Sequence, residues 1–330
     1  MITKSEQEIV RNWKDIASNP IVSICCITYN HEKFIGAAID SFLMQQTTFP
    51  FEIIIGEDCS TDNTLNIINE YKDRYPSLIQ VITCDFNIGM QKIFARTFNT
   101  CSGTYIALCE GDDYWTNINK LQKQVDFLEN NSDFIICCHR SETFDQSSQA
   151  IISSYPNIKQ EKDMMIDDLF NANIANTCTF VYRNINIKIP DFFKELKLGD
   201  WPLHMLHAEH GKIKYFPDKM ATYRVHDNGI WTSTNRIQRL DDAIEVLKYM
   251  NEYFEYKYTI QIKRLVNRSI FEKALCCLEI NQYSIADQYY QDLCQSNLIS
   301  LPSKMKYIVK KKYPSIYNLI LFFYRKIKRQ

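Results

Sequence analysis

Apolar residues along the first half of the chain fall into short continuous runs, each ending in polar residues and each followed by a segment with helical spacing. Residues 21–28 (IVSICCIT) are apolar and β-branched without alternation, which predicts a strand buried on both faces. Residues 34–44 place Phe34, Ile35, Ala38, Ile39, Phe42 and Leu43 on one helical face. The unit then repeats. A strand at 51–56 (FEIIIG) is followed by a helix carrying Leu65, Ile67, Ile68 and Tyr71, with Ser60, Thr61 and Asp62 as candidate N-caps. A strand at 78–83, a helix through Phe98 and a strand at 105–109 complete the series. Strands and helices alternating at this spacing predict an α/β fold: a mostly parallel sheet flanked by helices, with right-handed connections.

Farther along, residues 120–130 read as an amphipathic helix and 134–138 as a buried strand. Residues 141–162 are polar and weakly patterned and read as a loop near a site. Helices at 164–170 and 201–210, a strand at 177–182 and short strands at 212–216 and about 221–225 follow. From about residue 236 the pattern is all-helical, with long helices at 237–253 and 258–280 and a return arm at 284–294. The expected organisation is an N-terminal extension at 1–20, a catalytic domain at 21–235 and a helical C-terminal region at 236–330. Residues 304–330 hold nine Lys or Arg and no acid, and flank the apolar stretch 316–324, which is too short to span a bilayer. Aromatic and aliphatic residues set among bases suit the plane of an anionic membrane; an ordinary terminal helix with a basic outer face is the other reading.

A formal net charge of -1 excludes nucleic-acid binding driven by bulk electrostatics. The twelve cysteines include adjacent pairs at 25–26, 137–138 and 276–277 inside apolar runs, with no Cys-x-x-Cys, so they read as reduced core residues and not as zinc ligands. Residues 1–20 lack an apolar core segment, so no secretory signal is expected, and no run of about 18 apolar residues predicts a membrane span. The expected location is cytoplasmic, peripheral at the inner face of the plasma membrane.

The candidate chemistry sits where the strands end. The run from Tyr105 stops in Glu110, Asp112 and Asp113, which places oxygen ligands at the carboxyl edge of the sheet, where open α/β folds bind their ligands. Glu110 and Asp112, two carboxylates one residue apart in this acidic turn, point the same way and can share a divalent cation, Mn²⁺ or Mg²⁺, that also bridges phosphate oxygens. Thr28, Tyr29 and Asn30 end the first strand, and Glu57 and Asp58 end the second, where they can accept from a uracil-like N–H or a ribose hydroxyl.

Three motifs in order, Ile27-Thr-Tyr-Asn30, Glu57-Asp-Cys-Ser-Thr-Asp-Asn-Thr64 and Glu110-Gly-Asp-Asp113, resemble the family 2 glycosyltransferases of the GT-A fold over roughly residues 20–230. Glu57 stands where that family more often has Asp. By this resemblance Thr28, Tyr29, Asn30, Glu57, Asp58, Asn87, Gly89, Glu110, Gly111, Asp112 and Arg224 bind the nucleotide-sugar. Asp112 and His226, the latter in Tyr223-Arg-Val-His226, are the metal ligands, with Asp113 and Trp115 in support. Leu198-Gly-Asp-Trp-Pro-Leu203 resembles the segment that carries the family's general base, which gives Asp200 that role.

The resemblance implies an inverting, metal-dependent transfer from a nucleotide-diphosphate sugar, UDP-sugar favoured, to a glycan hydroxyl, in bacterial surface polysaccharide synthesis and on an acceptor that a lipid carrier can present. A metal-dependent nucleotidyltransferase or hydrolase would call for a glycine-rich phosphate loop near the N-terminus, and residues 21–35 contain no glycine. A non-catalytic scaffold would not need Asp112, Asp113 and Asp200 together.

Overall fold

The computed structural model describes residues 4–14, 19–170, 173–227, 229, 234–295, 300–315 and 317. The chain divides into two compact units, residues 1–229 and 230–330.

In the first unit, strands β1 (Val22–Thr28), β2 (Phe51–Glu57), β3 (Ile79–Thr83) and β4 (Tyr105–Leu108) form the parallel half of a mixed ten-stranded sheet. The remaining strands are β5 (Tyr114–Trp115), β6 (Phe134–Asp145), β7 (Ala150–Tyr155), β8 (Lys162–Met164), β9 (Val181–Arg183) and β10 (Lys212–Val225). Their order is β3-β2-β1-β4-β9-β6-β10-β5, with β7 beside β6 and β8 beside β10. Every residue of β1 is buried, as its unbroken apolar run requires. Helices α2 (Ile35–Leu43), α3 (Thr64–Arg74), α4 (Met90–Thr100) and α5 (Lys120–Asn130) cover this half. α2 buries Ile35, Ala38, Ile39, Phe42 and Leu43 in the main core. Each of the larger side chains among these contributes about 1.5–3 kcal/mol when removed from water.

The N-terminal segment belongs to the same unit. Helix α1 (Glu6–Val10) opens with a capping box between Ser5 and Glu8, and Ile9 enters the core. Trp13 meets Phe51 edge-on at 5.2 Å and donates from Nε1 to Thr47 Oγ1 at 3.0 Å.

Three stretches differ from the pattern reading. Residues 141–162 are not a loop: β6 runs on to Asp145, turns, and pairs antiparallel with β7. Ile151 and Ile152, 56% and 58% exposed, face solvent on both sides of β7, so the strand has no buried face and shows no alternation. The two short strands expected at 212–225 are one, β10, paired parallel to β6 with register shifts between Phe216 and Ala221 around Pro217 and Asp218. The strand expected at 177–182 opens as a 3₁₀ turn, Thr177–Thr179, before β9. Short helix α6 (Ile166–Leu169) and α7 (Asp200–Ala208) complete the unit. His204 and His207 of α7 are buried packing residues: His204 stacks on Phe180 at 3.7 Å and its Nδ1 lies 2.5 Å from Tyr182 Oη.

The described residues of the second unit form helices α8 (Arg236–Tyr253), α9 (Thr259–Glu279), α10 (Tyr283–Gln295) and α11 (Leu301–Lys312), with no strand among them. Phe271, Leu275, Leu278, Ala286, Leu293 and Tyr307 form its core. α11 belongs to this packing. Tyr307 stacks on Tyr290 at 4.1 Å, and Lys306, Lys310 and Lys311 pair with Glu272, Glu279 and Asp287. Part of the basic charge read from residues 304–330 is therefore matched within the unit. The apolar stretch 316–324 lies, Tyr317 apart, outside the described residues. Among the described residues, no helix is long and apolar enough to cross a membrane.

Candidate active site

Three loops at the carboxyl edge of β1, β2 and β3 are tied together by side chains that grip backbone. Asn30, in the left-handed region at φ 55, donates its N–H to Ser60 Oγ at 2.9 Å and accepts from the Thr61 N–H at 2.8 Å. Glu57 is buried and caps its own turn, accepting from the Ser60 N–H at 2.7 Å and the Cys59 N–H at 3.2 Å. Asp58, also buried, accepts from the N–H groups of Ile88 at 2.8 Å and Gly89 at 2.9 Å. Asn87 Nδ2 donates to the Asp58 carbonyl at 3.2 Å, and Gly89 takes φ 92, open to glycine at no steric penalty. These residues order the loops. Tyr29, 41% exposed, presents its ring at the same edge.

The acidic turn follows β4, the parallel neighbour of β1. Gly111 donates its N–H to the Ile27 carbonyl at 2.9 Å, and a Cβ there would lie 2.7 Å from Thr28 Oγ1, so only glycine lets the turn lie this close to β1. Asp112 points its carboxylate at two imidazoles: Oδ2 is 3.0 Å from His226 Nε2 and 3.7 Å from His31 Nε2. One potential ligand atom from each of His31, Asp112 and His226 lies within 4.8 Å of the others, as do atoms of Glu110, Asp112 and Asp113.

Arg224, in β10, holds this turn in place. Its N–H donates to Asp113 Oδ1 at 2.8 Å, its Nε to the Asp112 carbonyl at 2.8 Å, and its Nη1 to Gln146 Oε1 at 2.9 Å. The guanidinium also lies over the rings of Phe34 at 4.9 Å and Tyr114 at 5.1 Å. Asp113 is 1% exposed and faces the Cys178 thiol.

The carboxyls differ in proton affinity. Burial opposes ionisation of Asp112, but the hydrogen bond with His226 and the nearby imidazoles outweigh it, and the group sits below the usual aspartate range. Burial, followed by the charge of Asp112, pushes Glu110 and Asp113 well above the usual range. Negative charge is thus concentrated on Asp112.

Asp200 is the first residue of α7, after Gly199, and does not cap the helix in the usual way. Its Oδ1 accepts from the Trp201 N–H at 2.7 Å, and Oδ2 accepts from Asn173 Nδ2 at 2.8 Å and Thr177 Oγ1 at 3.4 Å. Burial raises its pKa against these bonds, and its partner Thr177 directly precedes Cys178, whose thiol faces Asp113.

Trp115 is a core residue: 1% exposed, it donates Nε1 to the Cys178 carbonyl at 2.8 Å, and Lys120 Nζ lies 4.1 Å above its ring. His31, Asn173 and Thr177 join the site although the pattern reading did not single them out. The signal for His31 was its place one residue after Asn30 at the end of β1, beside the strand that delivers Asp112.

The family model described as glycosyl transferase family 2 matches residues 23–189. The chain belongs to glycosyltransferase family 2. An uncharacterized protein of Mycobacterium tuberculosis is 40% identical over 212 residues, 64% of this chain and 61% of that protein, so the chain spans about six tenths of that relative's length. UDP-Glc:alpha-D-GlcNAc-diphosphoundecaprenol beta-1,3-glucosyltransferase WfaP of Escherichia coli is 30% identical over 244 residues, 69% of this chain and 86% of that protein. The crystal structure of S. aureus TarS in complex with UDP-GlcNAc superposes with a TM-score of 0.55 at 16% identity, over 84% of this chain and 91% of that one. The family 2 chain accordingly has the GT-A fold.

Proposed function

We propose that this family 2 chain transfers a sugar, with inversion, from a nucleotide-diphosphate sugar to a glycan hydroxyl. The observation that carries the reading is two carboxylates in different settings: Asp112, its Oδ2 between two imidazoles, and Asp200, held at the start of α7 by Asn173 and Thr177.

Asp200 takes the proton from the acceptor hydroxyl, whose oxygen forms the new bond to C1 of the sugar as the bond from C1 to the diphosphate oxygen breaks. Burial raises the pKa of Asp200, which makes its carboxylate a stronger base than an exposed aspartate. The donor set of Asp112 and His226, one anionic oxygen and one imidazole nitrogen 3.0 Å apart, fits a divalent cation. Such a cation, when bound, neutralises charge on the departing diphosphate. Arg224 fixes the Asp112-Asp113 turn from both main chain and side chain, and the exposed ring of Tyr29 gives the nucleoside a surface between the ordered loops.

A UDP-sugar donor and a lipid-linked glycan acceptor, in bacterial surface polysaccharide assembly at the inner face of the membrane, extend this reading; the WfaP relative supports both parts of it. Contact with the membrane is assigned to residues 304–330. Co-sedimentation with anionic but not neutral vesicles tests it.

Thermal unfolding with UDP, GDP, dTDP and CDP, each with and without Mn²⁺, tests the donor reading, because a ligand of the native state raises Tm by mass action. A metal-dependent rise for UDP is expected; no rise with any of the four overturns it.

A further inference from the structure

We infer that His31 is a third protein ligand to the cation, so that the site is an imidazole–carboxylate–imidazole centre selective for a transition-metal ion over Mg²⁺. The inference rests on the metal-dependent reading above and names a ligand and a metal class beyond it.

The geometry converges from two strands. His226 follows β10, His31 follows β1, and Asp112 Oδ2 lies between their Nε2 atoms at 3.0 Å and 3.7 Å. With metal–ligand bonds of about 2.1 Å, neighbouring ligand atoms in a tetrahedral or octahedral shell stand roughly 3.0–3.4 Å apart. One contact is already at that spacing and the other needs a few tenths of an ångström. Neither imidazole is loosely held. His31 Nδ1 lies 3.1 Å from Thr28 Oγ1; when that nitrogen carries the proton, the Nε2 lone pair is directed at the site. Phe34 packs against both rings, with centroids 6.2 Å from His31 and 4.7 Å from His226.

The other acidic grouping is a poorer centre. Asp113 is nearly fully buried and its Oδ1 is engaged by the Arg224 N–H, whereas Asp112 Oδ2 faces the imidazoles. Two imidazoles and one carboxylate favour later transition-metal ions such as Co²⁺ or Zn²⁺, while Mg²⁺ favours an all-oxygen shell.

The test is direct titration of the full chain, freed of metal, with Co²⁺ and separately with Mg²⁺, followed by calorimetry and by the visible absorption of Co²⁺. His31→Asn keeps a polar atom near the Nδ1 position facing Thr28 and removes Nε2; Asp112→Asn is the comparison. The expected result is that Co²⁺ binds at least about tenfold more tightly than Mg²⁺. His31→Asn should weaken Co²⁺ by at least about tenfold and shift its absorption, with unchanged Tm. If His31→Asn binds Co²⁺ as the parent does while Asp112→Asn does not, the role of His31 is overturned and the metal reading stands. Equal affinity for Mg²⁺ and Co²⁺ overturns the selectivity. If the parent binds neither ion, the metal reading itself falls.

Discussion

Nε2 of His226 and Oδ2 of Asp112 meet at 3.0 Å across 114 residues of chain. The contact depends on Arg224, two residues before the histidine, whose N–H and Nε engage Asp113 and the Asp112 carbonyl. Arg224 thus acts as a positioning residue for the acidic turn. Lysine in its place keeps the charge and the main-chain bond but loses the planar fork. Arg224→Lys should lower stability by about 1.5–3 kcal/mol, read as a reduced urea midpoint at unchanged m-value, and should weaken Mn²⁺ binding.

Replacing Asp200 with asparagine removes the proposed base and leaves the acceptor of the Trp201 N–H. Turnover should fall by about 10²–10⁴, with the UDP-dependent rise in Tm retained. A matching loss of donor binding would make Asp200 a binding residue.

Asn173 favours the ionised form of Asp200, so its removal raises a pKa that burial has already raised. In Asn173→Ala the acid limb of kcat/KM should move to higher pH, while the alkaline limb stays in place. An acid limb that moves down, or not at all, would detach this hydrogen bond from catalysis.

Gly111→Ala would set a Cβ 2.7 Å from Thr28 Oγ1, 2.8 Å from Thr28 Cβ and 3.0 Å from Ile35 Cδ1. The turn must shift away from β1, at a stability loss of about 1–3 kcal/mol. Mn²⁺ affinity should fall together with the denaturant midpoint.

Lys120 is fully buried beside Trp115, and burial pushes its ammonium down from an ordinary 10.5 to about 7. The unfolded chain binds the proton more tightly, so between about pH 7 and 10.5 this group makes folding more favourable as pH rises, and below pH 7 it imposes its full penalty. Lys120→Met should raise Tm by several degrees at pH 6 and by almost nothing at pH 10.

The parallel half of the sheet is legible in the sequence because strands buried on both faces appear as unbroken apolar runs, and the ends of those runs locate Thr28, Asp58 and Asp112. Two features escaped that signal. β7 is exposed on both faces, so hydropathy has nothing to mark. β10 bends around Pro217 and Asp218, so one strand reads as two and hides its long pairing with β6, which brings His226 to Asp112. Residue type marked Glu57 and Asp58 as candidates, but their bonds to backbone N–H groups depend on loops that fold back onto them. His31 looked like a turn residue because its partner lies on another strand.

The cross-ties among the three loops also determine what an alanine scan of this edge would measure. Asn30 and Asp58 grip Thr61, Ile88 and Gly89 before any ligand arrives, so the ordering entropy is met during folding. Loss of either grip moves that entropy to the moment of association. In Asn30→Ala or Asp58→Ala, UDP affinity should drop through a less favourable binding entropy at nearly constant enthalpy, the calorimetric mark of a loosened cradle and not of a missing contact.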